Sequence, residues 1–213
     1  SYHDVEFKVS TPNFRNNIQA FQLDPLTFKP SQQVPAYPKL KTFQGFKRSG
    51  TRGVGTRNYI VILATNSRAS SFVRLLDQKL KCDLAQYPNV DGIVAIAHTE
   101  GGGTLKPNNQ DLLLRTLAGF VVHPNVGAVL AVDSPESPVN NHLLENYLQR
   151  SGYPIFDLVH KFHNLERNIE QELESCSKTI RMWLPKVNQF ERSLQPLSEI
   201  KIALQCGGSD AFS

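Results

Sequence analysis

Short apolar runs of five or six residues recur along this chain, separated by longer segments whose apolar residues repeat with helical period. That alternation leaves few architectures open. Residues 59–64, 92–97, 127–132 and 200–204 read as strands. Between them, residues 69–80 carry Phe72, Val73, Leu75, Leu76 and Leu80 as an apolar face, and residues 109–119 do the same with Leu112, Leu113, Leu114 and Leu117 before Gly119 as a natural stop. Residues 139–150 offer Leu143, Leu144, Tyr147 and Leu148 ahead of Gly152. A fourth helix over 165–184, carrying Leu165, Ile169, Leu173, Ile180 and Leu184, is expected to end at Pro185. Strands alternating with one-faced helices predict an α/β fold, a three-layer, Rossmann-like domain with a mainly parallel sheet covered on both faces.

The first 42 residues have a different character. Pro12, Pro25, Pro30, Pro35 and Pro38 interrupt them before any helix of normal length can form, so they read as an extended arm or linker. The sequence begins at Ser1 and stops on a Gly-rich loop that ought to feed a further helix. Residues 43–213 are therefore expected to form an α/β domain that continues in a longer protein.

Composition narrows the function classes. At 40% hydrophobic and 20% charged, with no apolar stretch near the roughly 18 residues that span a bilayer, the chain reads as an ordinary globular protein in a cytoplasmic setting. Cys82, Cys176 and Cys206 are too few and too scattered for a disulfide framework or a Cys-x-x-Cys metal knot. Of the basic excess behind the net charge of +4, about half traces to residues 39–57, which hold Lys39, Lys41, Lys47, Arg48, Arg52 and Arg57 and no acidic residue. No recognisable nucleic-acid module accompanies them, which favours an anionic small molecule or a solvated face over nucleic acid. A nucleotide fold would need a G-x-G-x-x-G after a strand, and Gly101–Gly103 do not supply it.

In open parallel sheets, ligands bind outside the carboxyl ends of the strands. Here those ends lead into Thr65-Asn66-Ser67-Arg68, His98-Thr99-Glu100-Gly101-Gly102-Gly103, Asp133-Ser134-Pro135-Glu136 and Gln205-Cys206-Gly207-Gly208-Ser209-Asp210. Any one of these is an ordinary polar loop, but four on one rim make a candidate ligand site. His98 reads as a base or ligand, or as a structural histidine at a strand end. Arg57 reads as a bidentate partner for a carboxylate or as a salt bridge holding the arm to the sheet. Asn66 reads as a substrate donor or as a helix cap. His160 and His163, three apart near a helix start, have ligand spacing but no accompanying carboxylate pattern.

Several elements together carry a family resemblance. They are Gly45-Phe46-Lys47-Arg48 with Gly55-Thr56-Arg57-Asn58-Tyr59-Ile60, Pro88-Asn89-Val90-Asp91-Gly92, His123-Pro124-Asn125-Val126-Gly127, and the closing Gln205-Cys206-Gly207-Gly208-Ser209-Asp210-Ala211-Phe212-Ser213. In order and spacing this resembles the altronate and galactarate dehydratases, from about residue 43 to the end. The resemblance implies a hydro-lyase that removes water from a hydroxy-acid to give a 2-keto-3-deoxy acid, with a divalent metal such as Fe2+ and a homodimeric assembly. It implies His98 and Asp210 as catalytic groups, Arg57, Asn58, Asn66, Gly207, Gly208 and Ser209 as substrate contacts, and Cys206 and Glu136 as metal ligands. His123, inside a family motif, is expected to shape a turn.

The family carries cysteines where this chain has Ser67, Gly102 and Pro135. Neither glycine nor proline offers a side-chain donor, and a serine does not replace a thiolate at neutral pH. Two readings follow. One is a dehydratase whose metal is held by His98 and Cys206 with residues further along the chain, and the other is a non-catalytic relative that binds a sugar acid or a partner subunit.

Overall fold

The computed structural model describes residues 32, 41–134, 136–166, 168–205 and 207–208, with the backbone alone at 82 and 83. The arm expected over 1–42 lies outside the described residues except for Gln32, Lys41 and Thr42. In chain order the elements are β1 (Thr42–Lys47), β2 (Val54–Gly55), β3 (Tyr59–Ala64), α1 (Ser70–Leu80), β4 (Gly92–Ile96), α2 (Gln110–Val122), β5 (Val126–Asp133), α3 (Asn141–Arg150), β6 (Val159–Asn164), α4 (Ile169–Asn188) and β7 (Ser193–Pro196).

Four strands form one parallel sheet in the order β4-β3-β5-β6. Tyr59 pairs with Gly92 and Leu63 with Ile96, while Ala64 pairs with Val132 and Asp133 with Asn164. Central β5 is buried along all eight residues, which is why its sequence reads as an unbroken apolar run. Helices α1 and α4 cover one face, where Phe72, Leu76, Ile180 and Leu184 pack on Ile60, Ile62 and Leu130. Helices α2 and α3 cover the other, where Leu114, Leu117 and Leu144 pack on Val61, Leu63 and Val129. The result is the expected three-layer α/β domain. Each fully buried Leu or Ile contributes roughly 1.5–3 kcal/mol of transfer free energy. A second, antiparallel sheet of order β2-β1-β7 stands beside it.

Because the chain leaves β3 for β4 on one side and returns to β5 on the other, strand order reverses between β3 and β5. The loops after these two strands therefore diverge, and the crevice between them is the place where a parallel sheet takes a ligand.

Four expectations are corrected. Residues 200–204 are not a strand: the fourth place in the sheet is taken by β6, and Ile202 and Leu204 stand 78% and 93% exposed in irregular chain. Gly119 does not end α2, which runs on to Val122 because Val121 is fully buried in the core. Nor does Pro185 end α4: burial of Leu184 and Val187 on the sheet outweighs the one backbone hydrogen bond a proline removes. That helix starts at Ile169 rather than 165, after Asn168 caps it by accepting from the Gln171 N–H at 2.9 Å.

Candidate functional site

The two ends of the parallel sheet are built from different chemistry. At the amino edge, before β3, Asn58 is fully buried. Its amide donates to the carbonyls of Asn89 (2.7 Å) and Val187 (3.0 Å), and its Oδ1 accepts from Arg48 Nη2 (2.9 Å). Its backbone N–H meets Asp91 Oδ2 at 2.6 Å. Arg48 also donates to the carbonyls of Pro124 (2.7 Å) and Arg57 (3.0 Å), and lies 5.3 Å from the ring centroid of Phe46 and 5.2 Å from that of Phe190. Arg52 donates to the carbonyls of Val122, His123 and Val126. Burial, reinforced for Arg48 by the neighbouring Arg52 charge, lowers both guanidinium pKa values to about 10, so both remain cations. Asn125 Oδ1 accepts from the N–H groups of Thr56 (2.8 Å) and Arg57 (3.1 Å). A Cβ on Gly127 would collide with Asn58 Oδ1, and one on Gly55 with the Pro124 carbonyl.

The family-like motifs at 45–60, 88–92 and 123–127 are thus stitches along one edge of the sheet. Arg57 and Asn58, expected at the substrate, sit there, about 20 Å from the opposite rim across the six residues of β3. Arg57 is exposed and donates to the adjacent Thr56 carbonyl at 3.3 Å. His123 occupies the turn into β5, its Nδ1 accepting from the Asn125 N–H at 3.1 Å; burial first, then the charge of Arg52, lowers its pKa.

The carboxyl rim gathers other side chains. Asn66 is fully buried, but its side chain makes no cap bond; its amide donates to the carbonyls of Ser134 (3.3 Å) and Val139 (3.0 Å), tying the β3 loop to the β5 loop. The buried Asn66 Oδ1 has no hydrogen-bond partner. His98 follows β4. Its Nδ1 accepts from the Glu100 N–H at 3.2 Å, so Nε2 carries the hydrogen and donates to the Ala64 carbonyl at 2.8 Å. Both ring nitrogens are engaged by the fold. Arg68 clips the rim together, donating from Nε to the Gly102 carbonyl (2.8 Å) and pairing through Nη1 with Glu136 Oε2 (3.3 Å). Glu136 is 83% exposed and holds that ion pair.

At the end of β5, Asp133 is 2% exposed. Its Oδ2 accepts from the Asn141 N–H at 2.6 Å, while its Oδ1 is buried without a hydrogen-bond partner. Burial raises its pKa, opposed by the Asn141 N–H and by the charge of nearby His163. His163 lies on β6, not at a helix start, so His160, three residues away, points to the opposite face and donates from Nδ1 to the Leu158 carbonyl (2.9 Å). The partner of His163 is Glu172 of α4, at 2.6 Å between Nε2 and Oε2. Cys176, one turn further along α4, is fully buried, and burial with the Glu172 charge raises its thiol pKa to about 12.

Cys206, Ser209 and Asp210 lie outside the described residues, and Gly207 and Gly208 are exposed in irregular chain. The structure thus brings Asn66, His98 and Glu136 to one rim and separates Arg57 and Asn58 from it. Two of the positions where the family has cysteine do adjoin: a Cβ on Gly102 would collide with Ser67 Oγ. Pro135, the third, lies outside the described residues. With a hydroxyl at one and a hydrogen at the other, the Ser67–Gly102 contact holds no thiolate, and a ferrous ion held by thiolates does not fit these side chains. Arg68, Asp133 and Glu172 were not singled out from sequence. Arg68 and Asp133 stand in the loops that flank the strand-order reversal, a signal available once the order is known.

Residues 45–188 match the second-domain model of the D-galactarate dehydratase/altronate hydrolase family. The chain belongs to that family. Among curated proteins it is 27% identical over 207 residues to altronate dehydratase of Escherichia coli, and 25% identical over 203 residues to altronate dehydratase of Bacillus subtilis. It is also 25% identical over 179 residues to the (2R)-sulfolactate sulfo-lyase subunit beta of Chromohalobacter salexigens. These matches cover 96%, 94% and 82% of this chain but only 40%, 39% and 40% of the relatives, so the chain spans about two-fifths of their length. Among the described residues, no helix is long and apolar enough to cross a membrane.

Proposed function

We propose that the rim between β3 and β5 binds the carboxylate of a hydroxy-acid and that the protein serves a hydro-lyase, removing water to give a 2-keto-3-deoxy acid. The observation that carries this reading is the Arg68 clip at the strand-order reversal, where a guanidinium already holds one carboxylate, that of Glu136. Glu136 is mostly in solvent, so a substrate carboxylate exchanges for it at little desolvation cost. Pairing the substrate carboxylate with a cation acidifies the adjacent C–H, because negative charge moves onto that carboxylate as the proton leaves. Displaced Glu136 stands on the same rim as an exposed base for that proton, and its protonated carboxyl returns the proton to the departing hydroxyl, which leaves as water. His98 takes the role only if the 98–100 turn opens and releases Nδ1. Relatives named for altronate dehydration and for a sulfolactate sulfo-lyase support a lyase acting on hydroxy-acids.

One observation favours a second reading, a hydroxy-acid-binding domain without chemistry of its own: Ser67 and Gly102 adjoin but carry no thiol. The protein, purified anaerobically with ferrous iron and offered galactarate, altronate and related acids, separates the two. Turnover that falls in kcat with Glu136→Gln and rises in KM with Arg68→Ala supports the lyase. Saturable binding of the same acids without turnover supports the binding domain, and absence of both removes the rim from consideration.

A further inference from the structure

The structure assigns a metal site to His163, Glu172 and Cys176, a buried nitrogen, oxygen and sulfur set at the carboxyl end of β6 that takes a borderline divalent cation of the zinc type. The donor atoms of the three side chains lie within 4.8 Å of one another. Glu172 and Cys176 are one turn apart on α4, which puts both on the helix face that packs against the sheet, and β6 delivers His163 to the same point. Side-chain exposure is 14% for His163 and 4% for Glu172, and Cys176 is fully buried, so only the imidazole reaches solvent.

Zinc bonds of about 2.0–2.3 Å hold tetrahedral donors roughly 3.5 Å apart. The set reaches that spacing when the His163–Glu172 contact opens from 2.6 Å and the outer donor closes in. Imidazole, carboxylate and thiolate together suit zinc, whereas an all-oxygen set would suit magnesium or calcium. The carboxylate is oriented from outside the set, since Glu172 Oε1 accepts from the Glu166 N–H at 3.1 Å. A divalent ion held by these three donors would leave a fourth coordination position for water. This site shares no residue with the Ser67–Gly102 contact and does not depend on the substrate proposal.

Zinc content per chain, measured on the intact protein after loading with Zn2+ and gel filtration, tests the assignment, with cobalt substitution as the spectroscopic readout. One zinc per chain is expected, with a thiolate-to-cobalt charge-transfer band in the cobalt form. Both should persist in the Cys82→Ser/Cys206→Ser variant. Affinity should fall by at least the ~10- to 100-fold that loss of an outer-shell partner costs when Cys176→Ala, Glu172→Gln or His163→Gln is introduced. Because these variants can lose fold, the parent protein supplies an independent reading: Zn2+ should raise its Tm and slow alkylation of Cys176, and a chelator should reverse both. A folded parent that retains no zinc overturns the assignment, as does zinc that disappears with Cys82 and Cys206 rather than with Cys176.

Discussion

The amino and carboxyl edges of the parallel sheet bury polar groups to opposite ends. At the amino edge the polar atoms of Asn58 and most of those of Arg48 and Arg52 are spent on carbonyls and on one another across five segments of chain, although Arg48 Nη1 is buried without a partner. At the carboxyl rim, Asn66 and Asp133 each keep a buried oxygen without a partner, and the Arg68–Glu136 pair lies in solvent. Dense hydrogen bonding fixes the amino edge, while the proposed binding rim has unpaired buried oxygens on two loops beside a solvent-exposed ion pair.

The sharpest way to break this contrast is Asn58→Ala. It strands the buried Arg48 charge and two carbonyls and should cost about 3–5 kcal/mol in urea unfolding; a loss below about 1 kcal/mol would show that the amino edge is not a lock. Arg68→Ala should behave in the reverse manner. Unfolding free energy should stay within about 0.5 kcal/mol of the parent, while hydroxy-acid affinity measured by calorimetry should drop about 10- to 100-fold, the worth of a hydrogen bond to a charged group. Equal effects on both would erase the distinction between the edges. Gly127→Ala adds a methyl between Asn58 Oδ1 and Val187 Cγ1, the latter 2.6 Å away, and should cost about 1–3 kcal/mol by thermal unfolding.

The smallest effect is expected at Asp133, and its pH dependence gives the sign. Its folded pKa is raised above the ordinary 3.8, so the native state holds the proton more tightly than the unfolded chain. Stability contributed by this group is therefore lost as pH rises from that ordinary value through the raised one, and the penalty is fully present above it. Asp133→Asn keeps an acceptor for the Asn141 N–H without the charge. Its Tm should exceed that of the parent at neutral pH and lose that advantage near pH 3, where Asp133 is protonated in both states; a constant difference across this range would mean that desolvation of the carboxylate is not what the substitution relieves.

The sequence displayed the buried strands well because a strand covered on both faces is apolar along most of its length, as β3 is and as β5 is up to Val132. It hid β6, whose Val-His-Lys-Phe-His-Asn alternates with polar residues because an edge strand is only half covered. The apolar alternation of Ile200, Ile202 and Leu204 imitated such a strand, but among the described residues it has no strand partner, and pattern alone does not supply one. The rim loops were legible as a group. The position of Arg57 and Asn58 relative to those loops was not: strand direction puts both at the amino end of β3, away from the rim. His163 and Glu172 are nine positions apart and meet only through packing of α4 on β6.

The strand-order reversal also sets when the rim comes into being as the chain folds. The central pair, β3 with β5, joins residues 59–64 to residues 126–133, and the whole β4 excursion must be gathered in between. Pairing across so long a separation is entropically late and kinetically slow. A partly folded chain with β3 and β4 already zipped together would own His98 and Arg68 yet have no crevice. The ability to hold an anion at this rim should therefore appear together with the last cooperative step of folding, which makes ligand protection a clock for completion of the sheet.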